Sequence, residues 1–140
     1  MTAALLALQP PAAGHWTARW IGRPWVPGTG DCWSLARAVW AAEFGRAVEP
    51  LPVDPADLRA ASRALEAGAA GWVRVAEPAE GDGVLMARGR RPCHVGIWVT
   101  PERVLHAVER AGCLCTPAGR VGDLGYRIVA VLRRPGWVVP

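Results

Sequence analysis

The chain has 140 residues, 51% of them hydrophobic, and a formal net charge of +4. That length fits one domain with a sizeable core, and the apolar share excludes a disordered chain. All 16 basic residues are arginine, and four irregularly spaced cysteines exclude a disulfide scaffold, so the thiols are expected to be free.

The first stretch, "MTAALLALQPPAAG", has an apolar run too short for a membrane span and no basic residue before it. It reads as a poorly ordered arm over residues 1–14, with synthesis in the cytoplasm and no membrane insertion. His15 to Ile21 is expected to form a short helix with Trp16, Trp20 and Ile21 on one side and His15 at the surface. "GRPWVPGTG" breaks it into a loop. From Cys32 to Phe44 the apolar positions Leu35, Val39 and Trp40 recur at helical spacing, and Gly45 is the stop. Asp54 to Ala67 is a second expected helix, with Asp54 as N-cap, Pro55 in the first turn and Gly68 at the end. Arg59, Arg63 and Glu66 form its wet face.

After Gly71 the pattern turns from helical to alternating. Trp72 to Val75, Gly83 to Ala87, His94 to Val99, Val104 to Val108 and Tyr126 to Leu132 read as strands, with a short sixth at Gly112 to Thr116. Turn-rich stretches such as "RGRRP", "TPE" and "AGRVGDLG" separate them. Helices first and strands later argue for an α+β domain, its N-terminal helices packed on an antiparallel sheet of about five or six strands. That domain is expected over residues 15–134, leaving 135–140 as a tail. In "RRPGWVVP", Trp137, Val138 and Val139 either fold onto the core or dock on a partner. The eight tryptophans are expected in the core or along a cleft.

The stretch "GTGDCWSLARAVW" sets a cysteine between a glycine-rich turn and a helix. Asp31 can cap that helix, so Cys32 opens it, where unpaired amides and the helix dipole favour the thiolate. The amide of Cys32 is suited to a developing oxyanion. Gly28 and Gly30 let the loop backbone approach a substrate.

A thiolate nucleophile needs a histidine as base and then acid, and a third group to orient the ring. His94 and His106 fall in neighbouring strands of "CHVGIWVTPERVLHAV". A hairpin centred on Thr100 puts both on one face, whereas a one-residue slip separates them. Gly96 shares the face of His94 and is expected to leave room for a helix terminus.

These residues resemble the NlpC/P60 cysteine peptidases. "DCWSL", the Gly81-Asp82 pair before a strand, "HVGIW" and "VLHAV" follow that family's order over roughly Trp16 to Arg133. The similarity is closest to small phage-tail cell-wall peptidases, including those encoded with gene transfer agents. The resemblance implies a papain-like fold with Cys32 as nucleophile, His94 as general base and acid, and His106 as orienter. Asp31, Trp25, Gly96 and Trp33 are the expected substrate-binding and oxyanion neighbourhood. Where many members carry a tyrosine before the cysteine, this chain has Trp25, which donates only through its indole nitrogen.

The function so implied is hydrolysis of amide bonds in peptidoglycan stem peptides, without metal or other cofactor, by a protein carried with tail or baseplate partners of a phage-like particle. It would then act in the periplasm or cell wall. An arginine rim of Arg23, Arg88, Arg90 and Arg91 suits the carboxylates of stem peptides. Two rivals remain: an amidase or acyltransferase using the same residues, and a structural tail component with a vestigial site. Zinc binding by Cys93, Cys113 and Cys115 is disfavoured because no C-x-x-C pair is present. Nucleic acid is not an expected partner, since no binding motif accompanies the charge.

Overall fold

In the computed structural model, residues 14–54 and 57–140 are described. Helical spacing in the cysteine segment yields α1 (Cys32–Phe44), with Asp31 as N-cap and left-handed Gly45 as C-cap. The second helix, α2 (Leu58–Ala69), starts later than expected because Asp57, rather than Asp54, accepts from the Ala60 amide. Both aspartates fit an N-cap in sequence. The expected first-turn Pro55 lies outside the described residues, as does the expected N-terminal arm except Gly14. Among the described residues no helix is long and apolar enough to cross a membrane. The N-terminal helical segment is a 3-10 turn, Trp16–Arg19, and His15 is its cap rather than a free surface residue.

Six strands follow: β1 (Val73–Arg74), β2 (Gly83–Arg88), β3 (Arg91–Val99), β4 (Arg103–Val108), β5 (Gly112–Pro117) and β6 (Arg127–Arg133). They form one antiparallel sheet in the order β1-β6-β2-β3-β4-β5. The expected α+β architecture with a six-stranded antiparallel sheet is therefore present. The turn expected at "AGRVGDLG" is instead a 3-10 helix, Ala118–Leu124, closed by left-handed Gly125.

The sheet is covered on both faces, which is why Gly83 to Ala87 are all buried rather than alternating. On the first face, Val95, Ile97, Val99, Leu105 and Ala107 pack with Leu35, Ala36, Val39 and Trp40 of α1 and Leu65 of α2. On the second, Val84, Met86, Trp98 and Val104 pack with Val121 and Tyr126 beneath the 3-10 helix. The tail is divided. Trp137 packs against Trp40 and Trp72 with Arg46 over its ring, while Val138 is 82% exposed.

Candidate active site

The Asp31 carboxylate is buried, and both oxygens hold the loop to the helix. Oδ1 accepts from the Ser34 amide at 2.9 Å and Oδ2 from the Gly28 amide at 2.6 Å. Its acceptor capacity thus serves the cap, and a carboxylate offers nothing to an oxyanion. Gly28 is left-handed at φ +82°, as the turn before the cap requires. A Cβ on Gly30 would meet the Pro24 carbonyl at 2.8 Å, so that glycine allows the loop to fold on itself.

Cys32 occupies the first position of α1 and is half-buried. Its thiol sits by the backbone amides of Val95 and Trp33, which places it at β3 beside the residue that follows His94. Burial pushes this thiol up from 9.0 to about 11; the two amides pull it back, and the neighbouring Asp31 and Cys93 push it further. The thiolate-favouring shift expected from the helix terminus is therefore overturned. A helix dipole contributes about 0.3–1 kcal/mol at an exposed site, less than the ~1.4 kcal/mol of a single pKa unit, so desolvation wins.

The two histidines do meet. The β3–β4 hairpin pairs Val99 with Arg103 and turns over Thr100 to Glu102, one residue beyond the expected centre. That register has the same parity, and both rings lie on the second face. Nε2 of His94 is 2.8 Å from Nδ1 of His106, and Nε2 of His106 is 2.9 Å from the Thr116 hydroxyl. The result is a relay from β3 through β4 to β5, buried at both imidazoles and half-buried at Thr116. Burial holds His94 well below its ordinary value, with the charges of His106 and Arg88 acting in the same direction. Burial alone lowers His106 from 6.5 to about 4. Both rings are neutral near pH 7. Among the described residues no hydrogen bond joins the Cys32 thiol to either imidazole; the bond to His106 uses Nε2 of His94 and leaves Nδ1 as its other ring nitrogen.

The space beside Gly96 is occupied by β4 rather than by a helix end. A Cβ there would stand 2.5 Å from Val104 Cγ1, 3.0 Å from the Leu105 carbonyl and 3.1 Å from His106 Cβ. Glycine at this point lets the two strands and the second imidazole approach, which corrects the role expected for it. Trp25 is half-buried against the main core. Trp33 donates to the Glu49 carbonyl at 3.0 Å and helps to line an apolar cavity of about 400 Å³ with Trp40, Trp72, Leu51 and Leu65. Gly81 and Asp82 act as ties. The Gly81 carbonyl accepts from Trp40 Nε1, and Asp82, buried, takes a two-point bond from Arg133 at 2.8 Å each.

Tyr126, the sole tyrosine, was not singled out by sequence reasoning. Its ring stacks on His94 at 4.2 Å between centroids and 8° between planes. The Arg88 guanidinium lies 4.4 Å from the same ring centroid. Thr116 was also missed as the end of the relay. Arg88, Arg90 and Arg91 are exposed around the β2–β3 turn, together with Arg127, which donates to the Gly89 carbonyl. Arg23 instead packs on Trp20, and its carbonyl accepts from Cys113 of β5. Among the described residues no group of three or more His, Cys, Asp or Glu is arranged to hold a metal ion.

No known family model matches the chain, and no curated protein matches it either.

Proposed function

We propose that this chain is a cysteine peptidase of the NlpC/P60 type, with a papain-like arrangement of α1 on the sheet, that cleaves peptidoglycan stem peptides. The observation that carries the reading is the His94–His106–Thr116 relay, which begins on the strand that Cys32 approaches. In this reading Nδ1 of His94 takes the thiol proton as sulfur attacks the amide carbon. The C–N bond then breaks, and the amine leaves with that proton. Water, deprotonated by His94, cleaves the thioester, releasing a carboxylic acid and restoring the thiol. Thiol and imidazole are both neutral at rest, so charge separates only as sulfur attacks. The imidazolium and oxyanion then form together, each offsetting the cost of burying the other. His106 orients the His94 ring, and exposed Arg90 and Arg91 offer forks to substrate carboxylates, Arg88 being engaged with Tyr126 and the Leu124 carbonyl. Tail or baseplate proteins of a phage-like particle are the proposed partners, and the cell wall is the proposed place of action.

The test is digestion of purified sacculi, with products identified by mass spectrometry. A new stem-peptide terminus released by the protein and lost in Cys32→Ala supports the reading. Unchanged release by that variant overturns it. A second reading, a structural component with a silent site, is favoured by the raised pKa of the Cys32 thiol. Absence of any product from the unmodified protein would select it.

A further inference from the structure

Two contacts on different elements act on the His94 ring at once. One is the bond from Nε2 to His106 on β4, which fixes the direction of the ring in its own plane. The other is the stack on Tyr126, which fixes the plane itself. A single hydrogen bond leaves an imidazole free to tilt about the bond axis; a parallel ring at 4.2 Å removes that freedom.

The tyrosine is itself held. Its amide donates to the Val121 carbonyl at 3.2 Å, just after left-handed Gly125 ends the 3-10 helix. Arg88 lies on the ring and also donates to the Leu124 carbonyl at 2.9 Å. A Cβ on Gly125 would come within 3.1 Å of Arg88 Nε, so the glycine lets the guanidinium settle there. Arg88 thereby links the tyrosine ring to the last turn of that helix. Burial raises the Tyr126 phenol, Arg88 opposes the rise, and Cys93 and Cys32 add to it, so phenol and thiol lie within electrostatic reach of each other.

We propose that Tyr126, clamped by Arg88, is a positioning residue that sets the plane of His94 so that Nδ1 is presented to the Cys32 thiol. This rests on the peptidase reading and adds to it a residue that lies just before the last strand.

The test compares Tyr126→Phe, Tyr126→Leu and Arg88→Met with the unmodified protein on soluble disaccharide-peptide fragments, separating kcat from KM, with urea unfolding as a control for folding. Phe keeps the stacked ring, so its kcat should stay within about threefold, while Leu should lower kcat about tenfold or more with KM within about twofold. Arg88→Met should lower kcat about two- to fivefold. It supplies the answer if Tyr126→Leu fails to fold. The proposal is overturned if folded Tyr126→Leu keeps its kcat, if Phe loses as much as Leu, or if Arg88→Met raises KM alone. Retained turnover in Cys32→Ala, or none in the unmodified protein, would instead sink the peptidase reading. In that event the ring plane is read from the ring-nitrogen NMR signals of His94, which Tyr126→Leu should shift and Tyr126→Phe should leave in place. An identical spectrum in all three overturns the positioning role.

Discussion

Nε2 of His94 and Nδ1 of His106 stand 2.8 Å apart in a pair of side chains at 4% and 0% exposure. One nitrogen must donate and the other accept, so each ring fixes the tautomer of its neighbour. Removing the second ring strands a polar atom of the first. We expect His106→Leu to cost about 1–3 kcal/mol of stability and, on the peptidase reading, about a hundredfold in turnover. Urea unfolding and muropeptide release measure the two. Unaltered stability would show that the pair does not hold this bond.

Both rings make stability depend on pH, with a definite sign. Their folded pKa values lie below the ordinary 6.5, at about 4 for His106. Above pH 6.5 neither state binds the extra proton and the full stability is present. As pH falls below 6.5 the unfolded chain takes up protons that the folded chain refuses, so stability drops until pH passes the folded values. For His106 alone this amounts to about 2 kcal/mol between pH 7 and pH 5. Urea midpoints at pH 7.5 and 5.0 should differ in that direction, and His106→Leu should flatten the difference. Equal midpoints in the unmodified protein would contradict it.

The Cys32 thiol should react slowly with iodoacetamide at neutral pH. With its pKa near 11, the rate should climb about tenfold per pH unit up to that value. Because the Asp31 charge pushes the thiol up, Asp31→Asn should raise the rate at pH 8 about threefold; its amide oxygen can keep the Ser34 bond that caps α1, while the bond from the Gly28 amide is lost. Peptide mapping by mass spectrometry follows the site. A fast, pH-independent reaction at Cys32 would contradict the burial.

Gly96→Ala tests the close approach of β3 and β4. The new methyl meets Val104 at 2.5 Å and the His106 Cβ at 3.1 Å, so neither neighbour keeps its place. Overpacking of this kind costs about 1–3 kcal/mol. Thermal unfolding should show the loss, and the His106 ring signals in NMR should move with it. A neutral outcome would mean that the sheet yields there.

The elements most legible in the sequence are those set by local periodicity. Helix α1 has the bounds that its apolar spacing predicts, and the two histidines share a face because twelve residues, an even number, separate them across a short hairpin. The start of α2 was not legible, because Asp54 and Asp57 both satisfy the chemistry of a cap. Long-range effects were hidden. Tyr126 meets His94 only because β6 lies beside β2, a pairing that no nearby residue encodes. The thiol pKa departs from expectation for a related reason: the helix terminus is visible in the sequence, whereas the burial that raises the thiol depends on long-range packing and outweighs even the Val95 amide of β3. Gly96 likewise looked like a space for a helix until β4 closed over it.

Strand β6 is the last of the six to be synthesised, yet it lies between β1 and β2, and its end is clamped to Asp82 through Arg133. A nascent chain that stops short of residue 133 thus has β1 without the one neighbour it has among the described residues and β2 bare along one edge. The ribosome must deliver this strand before the sheet can close. Long-range pairing therefore comes late: the sheet is completed only when β6, made after β2 to β5, inserts between β1 and β2.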